Sequence, residues 1–323
     1  MSTAPTVLVL SAADDLTADA VVAELDLRSA RAVRMDTADF PVRLRLAATN
    51  KSPGWLGRLW TDDRAVDLSE VASVYYWRPG RFRLPEGLSD GDRVFATVEA
   101  RLGLGGVLTA LDARWVNNPA RIAVAEYKPL QLRQAADVGL RVPRTLVTND
   151  HGAAVAFGAE IDGPVVCKTL SSLVLSEGGQ PHITYTTPVD PVSIDPVQFA
   201  VTAHLLQEWV PKAFEVRATM VGTRPLAVAI HAWSEHGRVD WRSDYAELTY
   251  ERVDVPAPVV AGMAGYLEAF GLGFGAFDFV VTSDDEWIML ECNPAGQWLW
   301  LEHETGVPIA AALADLLTDG VNQ

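Results

Sequence analysis

The chain has 323 residues, 49% of them apolar and 21% charged, which is globular composition with room for two or three domains and excludes a disordered chain. Acidic residues outnumber basic ones by 42 to 26, and the net charge of −16 argues against nucleic acid as a partner while leaving nucleotides, which need only a local cluster of cations. Two cysteines without metal-type spacing, Cys167 and Cys292, fit a reducing, cytoplasmic setting, and neither a signal-peptide pattern nor an apolar run of the roughly 18 residues a membrane span needs is visible.

The apolar, β-branched run Thr6–Ser11 predicts a buried strand, followed by a helix capped at Thr17 and carrying Val21, Val22 and Leu25. Asp14 and Asp15 stand where a glycine-rich phosphate loop would lie, and two carboxylates repel phosphate, so this βα start is not a dinucleotide fingerprint. Residues 41–49 and 71–76 read as strands and 91–112 as a helix, with Gly103, Gly105 and Gly106 inside it for packing. Asn117-Asn118-Pro119 breaks the chain and opens a helix to about Val138, placing a domain boundary near 116. Beyond 144, strands and helices alternate: a strand at 164–169, a hairpin around the glycine-rich 176–180, a helix at 195–206, and a connector at 207–211. Strands follow at 214–221, 225–232, 274–282 and 286–292, with helices at 256–270 and 307–317.

The chemistry gathers on the last strands. Period two sets Asp278 on the face opposite Phe277 and Phe279, and puts Glu291 and Asn293 on one face of the next strand. Three hard oxygen donors from adjacent strands suit Mg²⁺, an ion held by one or two carboxylates plus substrate phosphates. Glu215 and Arg217 project together from their strand, either as a ribose acceptor and a phosphate clamp or as a cross-strand ion pair. Asp240 and Arg242 repeat that geometry if extended. Lys168, in an otherwise apolar strand, must snorkel or find an anion, and Lys128 is either solvated or a second phosphate ligand. Together these residues make the cation set that phosphoryl transfer from a nucleoside triphosphate requires.

Their order, Lys128, Lys168, Gln207-Glu208-Trp209-Val210, Glu215-x-Arg217, Asp278 and Glu291-x-Asn293-Pro294, resembles the ATP-grasp superfamily. The stretches at 115–150, 240–242 and 291–317, with Tyr75–Pro79, are similar to the graspetide synthetases, the microviridin-type maturases of ribosomal peptides. The resemblance implies an α/β chain with an N-terminal pre-ATP-grasp domain (1–115), a central lobe with a leader-binding hairpin and helix (116–206), and a C-terminal lobe with the Mg²⁺ and phosphate site (207–323). Lys128 and Lys168 would bind phosphates, Glu208 and Val210 would read adenine from their backbones within the Gln207–Val210 segment that includes Trp209, and Glu215 would take the ribose. Arg217 and Arg242 would face the transferred phosphate, and Asp278, Glu291 and Asn293 would hold the metal. Many relatives carry Asp where this chain has Glu215.

Such enzymes phosphorylate an Asp or Glu side chain of a precursor peptide and close an ester to Thr or Ser, or an amide to Lys. ATP and Mg²⁺ are the implied cofactors. The expected partner is a ribosomal precursor peptide, whose leader would dock on the hairpin and helix through Ile183, Tyr185, Phe199 and His204, and a homodimer is expected. The hairpin's tip can equally close over the ATP phosphates. His231 is the candidate base for the acceptor hydroxyl, against a structural role. Two other classes remain: a ligase of the ribosomal-protein glutamate type, and a non-catalytic ATP-binding scaffold, which would have little reason to keep all three metal ligands.

Overall fold

In the N-terminal domain, strand β1 (Thr6–Ser11) is buried at every residue because it lies between two parallel neighbours. The computed structural model describes residues 5–51, 54–171, 174–177, 180–183, 186–234, 241–243 and 247–319, with no side chains at 174–177, 180–183 and 243. Helix α1 (Leu16–Leu27) follows β1, and its cap is Asp15, whose carboxylate accepts from the Ala18 N–H, rather than Thr17. The acidic loop therefore caps a helix and cradles no phosphate. Next come β2 (Arg31–Met35), β3 (Arg45–Lys51), β4 (Gly54–Trp60), β5 (Ala65–Asp67) and β6 (Val71–Trp77). Strands β3, β4 and β5 form an antiparallel meander of their own, which the sequence reading missed. Its first strand begins at Arg45 rather than residue 41, since Pro41 sits in a turn. Gly57 lets β3 and β4 approach: at φ +145°, a Cβ there would lie 2.0 Å from the Ala47 carbonyl oxygen.

Helix α2 (Asp90–Thr109), capped by Ser89, buries Ala100, Leu104, Val107 and Leu108 and leads to β7 (Arg114–Val116), completing the parallel sheet β2-β1-β6-β7. A Cβ at Gly103, Gly105 or Gly106 would meet nothing within 4 Å, so these glycines do not serve close packing as expected. The single helix expected to Val138 is two, α3 (Pro119–Ala125) and α4 (Lys128–Asp137). Pro129 explains the break, because it lacks an N–H and would clash with the carbonyl of residue 125 in a continuous helix.

The central sheet is built from β8 (Thr145–Thr148), β9 (Val165–Lys168), β12 (Thr187–Val189) and β13 (His204–Glu208), in the order β12-β9-β13-β8, with α5 (His151–Glu160) after β8. Between β9 and β12, β10 (Val174–Glu177) and β11 (Gln180–Ile183) pair antiparallel as the expected hairpin. The helix expected at 195–206 is only α6 (Pro196–Phe199); Val201 and Thr202 favour extended backbone and the chain turns into β13.

The C-terminal sheet is antiparallel, in the order β16 (Leu248–Val253), β15 (Arg224–Ala232), β14 (Phe214–Val221), β17 (Phe274–Val281) and β18 (Trp287–Asn293). One face packs Val216, Ala218, Phe277 and Phe279 against Met263, Tyr266 and Leu267 of α7 (Ala257–Phe270). Helices α8 (Leu299–Thr305) and α9 (Ile309–Thr318) return to the N-terminal domain, where Leu313 and Leu317 share a core with Val7, Val9, Val21 and Leu25. Helices α3 and α4 pack on α7, and β13 pairs with β8 through Gln207 and with β9 through Glu208, so both residues lie in the central sheet. Among the described residues no helix is long and apolar enough to cross a membrane.

Candidate active site

The C-terminal sheet's other face is polar at one rung. Arg217, Asp278 and Glu291 are direct neighbours across β14, β17 and β18. Alternation puts them opposite the phenylalanines, as the sequence predicts. A bulge in β18, where Asp278 faces Glu291 but Phe279 faces Met289, re-aims Glu291. Arg217 Nε lies 2.8 Å from Asp278 Oδ1, and both residues are buried. Lys128 starts α4 and brings Nζ to 3.0 Å from Glu291 Oε2, while Arg242 lies 4.0 Å from Oε1. Asn293 shares the Glu291 face, its Nδ2 3.4 Å from Oε1.

Lys168, at the end of β9, faces the same cleft with Thr169, Thr186, Trp241 and Leu290. On the sheet's floor, Lys212 Nζ donates to Glu215 Oε1 at 2.5 Å. Five cations thus meet three carboxylates, Glu215, Asp278 and Glu291, with a fourth, Glu208, at the edge, in a protein of net charge −16. The field shapes the titrations. Burial pushes Lys168 down to about 8, partly offset by Glu291. Burial also raises Asp278, against the opposing pull of Arg217. At Glu291 burial acts in the same upward sense, but Lys128, Arg242 and Lys168 outweigh it and hold the carboxyl low.

The segment Gln207–Val210 forms the cleft's edge between the two sheets. Gln207 Nε2 donates to Thr145 Oγ1 at 2.9 Å, and the Glu208 carboxylate accepts from the Arg144 N–H at 2.8 Å. The Trp209 N–H is committed to the Pro164 carbonyl, whereas the Val210 N–H donates to no protein group among the described residues. A free main-chain donor beside the cleft is what a purine edge requires.

Other expected residues fall elsewhere. His231 shares a face with Phe214, 5.3 Å between ring centroids, and that is the face opposite Glu215 and Arg217; strand parity removes it as the acceptor base. Phe199 is 3% exposed and its ring stacks on the half-buried His204 at 4.3 Å, with His204 Nε2 bonded to the Phe199 carbonyl, so Phe199 is core and offers a leader no open face. Ile183 is placed only as backbone of β11, and Tyr185 and Asp240 lie outside the described residues. Arg242 sits in a 3₁₀ turn, Trp241–Ser243, rather than an extended segment.

Three residues of the site were missed. Lys212 follows the connector by one residue and its spacing to Glu215 was a readable signal. Gln131, one helical turn after Lys128, accepts from the Cys292 N–H and donates to the Cys292 carbonyl, both at 3.0 Å, fixing the peptide between the two β18 ligand candidates. Asn117, 2% exposed, donates to the Phe274 and Pro294 carbonyls and accepts from the Gly273 and Phe274 N–H groups.

Two lobes gripping a cationic cleft with an open main-chain edge define an ATP-grasp fold. The family model described as the MvdD pre-ATP grasp domain matches residues 6–123. The fold is similar to macrocyclase MdnC bound with precursor peptide MdnA from Microcystis aeruginosa MRC (28% identity, 97% of this chain and 99% of that one, TM-score 0.84). It is similar to a Chryseobacterium gregarium RiPP-associated ATP-grasp ligase in complex with ADP and a leader and core peptide (25% identity, 98% and 97%, TM-score 0.89). It also resembles macrocyclase MdnB from Microcystis aeruginosa MRC (29% identity, 98% and 100%, TM-score 0.80). No curated protein matches the chain. Over nearly its whole length the chain has the fold of these ATP-grasp macrocyclases and ligases, and its N-terminal part matches a pre-ATP-grasp domain.

Proposed function

We propose that the chain is an ATP-dependent ligase that activates Asp or Glu side chains of a ribosomal precursor peptide and closes them onto Thr, Ser or Lys side chains of the same peptide. The observation that carries this reading is the rung Arg217–Asp278–Glu291 facing Lys128, Lys168 and Arg242 in one cleft. The peptide carboxylate forms a bond to the terminal phosphorus of ATP as ADP leaves. The acceptor oxygen or nitrogen then attacks the activated carbonyl carbon and phosphate leaves, so the peptide loses one water per ring.

The donors present fit magnesium. Among the described residues no three His, Cys, Asp or Glu side chains form a ready-made metal cage, which suits an ion completed by nucleotide phosphates. Asp278 is a carboxylate whose ionisation burial opposes, so an added cation is favourable there. Asp278, Glu291 and Asn293 would hold the ion, which supplies charge neutralisation when bound. The rest is the chain's own work. Lys128 and Lys168 neutralise phosphate oxygens, the Val210 N–H takes the adenine edge, and Glu215, paired with Lys212, takes the ribose. Arg217 and Arg242 offset the repulsion between two anions that must meet. Positioning and charge carry the reaction, so no protein nucleophile is needed.

The precursor's leader would lie along the hairpin β10–β11, adding main-chain pairing. Both cysteines are free, in keeping with a cytoplasmic setting. For assembly we propose a homodimer through α2, whose outward face exposes Val94 (66%), Phe95 (67%) and Leu102 (61%) opposite its buried stripe.

Co-expression with a short peptide, acidic and rich in Thr and Ser, from a reading frame adjacent to the chain's gene tests the function. Intact mass should show loss of one water per ring. A mass gain would instead support amino-acid ligation, and an unchanged mass with ATP and Mg²⁺ present would defeat both for that peptide.

A further inference from the structure

The strand that carries Glu291 and Asn293 ends in the turn Pro294–Gly296, and the N-terminal domain holds this turn carbonyl by carbonyl. Asn117 Nδ2 donates to the Pro294 carbonyl at 2.7 Å. Arg78, directly after β6, forks Nε and Nη2 onto the Ala295 carbonyl at 3.1 and 2.7 Å. Thr17 Oγ1 reaches Gln297 Oε1 at 3.0 Å. Arg78 itself has φ +47°, a left-handed conformation that is strained for a non-glycine residue and persists where surroundings enforce it.

The next residue links the turn to the reaction centre. A Cβ on Gly296 would come within 2.7 Å of Ala276 Cβ, 2.9 Å of Asn293 Cβ and 3.1 Å of Arg217 Nη1. The turn's backbone therefore lies directly against the buried Arg217 guanidinium, whose Nη1 has no hydrogen-bond partner among the described residues. With no side chain on Gly296 and no bond on Nη1, what fixes this contact is the path of the turn, which the Gly296 N–H closes onto the Asn293 carbonyl at 3.2 Å and which Asn117 and Arg78 hold from outside.

We infer that Arg78 is a positioning residue for the ligase reaction: by holding the Ala295 carbonyl it sets the Pro294–Gly296 turn, and through it the placement of Arg217 and Asn293. The pre-ATP-grasp domain thereby contributes directly to the reaction centre. Asn117 is buried and bonds four main-chain groups, so it also supports the fold. Arg78 is exposed at the surface of the joint, which separates its positioning role from general stability.

This rests on the proposed ligase reading, and the experiment keeps the two apart. Wild-type chain, Arg78→Ala and Arg78→Lys are compared in three measurements: ADP formation with a short acidic, Thr- and Ser-rich peptide, Mn²⁺ titration in the presence of AMPPNP, and melting temperature. For Arg78→Ala the expected result is a kcat roughly tenfold to a hundredfold lower, since small misplacements at a reacting centre have effects of that order. KM for ATP should stay within twofold and melting within about 2 °C. Mn²⁺ binding to the AMPPNP complex should weaken several-fold. Arg78→Lys, which keeps one donor for the Ala295 carbonyl, should recover part of both losses. Wild-type kcat and Mn²⁺ affinity in Arg78→Ala would overturn the inference, as would losses that merely follow a drop in melting temperature. If the wild-type chain forms no ADP, the ligase reading fails, and the Mn²⁺ titration still judges Arg78.

Discussion

Replacing Lys168 by Met should weaken nucleotide binding and strengthen the ligand-free fold at the same time. A hydrogen bond from a buried ammonium to a phosphate oxygen is worth about 1.5–3 kcal/mol, so AMPPNP affinity should fall roughly 10- to 150-fold. The stability effect has the opposite sign. Burial brings Lys168 from the ordinary 10.5 down to about 8, so its charged form is destabilising in the empty cleft at neutral pH. At 1.36 kcal/mol per pKa unit the full shift would be about 3.4 kcal/mol, and the side chain's water-facing edge reduces this to about 2 kcal/mol. The penalty is complete below about pH 8 and fades towards 10.5 as the folded form sheds its proton. The melting advantage of Lys168→Met should therefore be largest near pH 7 and shrink above pH 8, while wild-type AMPPNP affinity declines over that rise and the variant's does not. Calorimetric titration and melting at pH 7, 8 and 9 read both. A variant that binds AMPPNP like wild type, or that melts lower than wild type at pH 7, refutes the reasoning.

Three further outcomes follow from particular contacts. Asn117→Ala strips four main-chain groups, three of them fully buried, of their partner; at about 1 kcal/mol each the loss is about 4 kcal/mol, and apparent melting should drop by roughly 8 °C or more, with a shift under 2 °C contradicting the hydrogen-bond assignment. Because burial raises Asp278, its ionised form is lost on acidification sooner than an ordinary carboxylate's. Mg²⁺-dependent strengthening of nucleotide binding should thus fade between pH 7 and 5.5, and a flat Mg²⁺ effect across that range would contradict Asp278 as ligand. If the proposed homodimer forms through α2, wild type should sediment as a dimer and Val94→Glu with Leu102→Glu as a monomer of unchanged melting temperature; a wild-type monomer, or a variant that stays dimeric, would contradict the proposal.

Strand parity made much of the site legible. Asp278 between two phenylalanines, and Glu291 two residues before Asn293, declare their shared face by alternation alone, and the sheet confirms it. The same rule would have excluded His231 had the register with Phe214 been known, but register is a property of paired strands and not of one. The helix at 195–206 failed for a different reason: an apolar run of that length fits helix or strand equally, and only pairing with β8 and β9 settles His204–Glu208 as a strand. Gln131, Asn117 and Arg78 act on backbone carbonyls far along the chain, and nothing in composition or spacing reports such a target.

Helix α9 lies against α1 and β6. Arg28 grips Asp315 at 2.6 Å, Ser73 Oγ donates to the Leu317 carbonyl at 2.8 Å, and Arg114 donates to the Leu316 carbonyl at 2.8 Å. During synthesis, then, the β1–α1 unit leaves the ribosome with its greasy flank bare and must wait until α9, beyond the C-terminal sheet, is made before that flank is covered. The opening domain ripens last, a fragment cut after β7 would be born sticky, and a chaperone has a long interval in which to act.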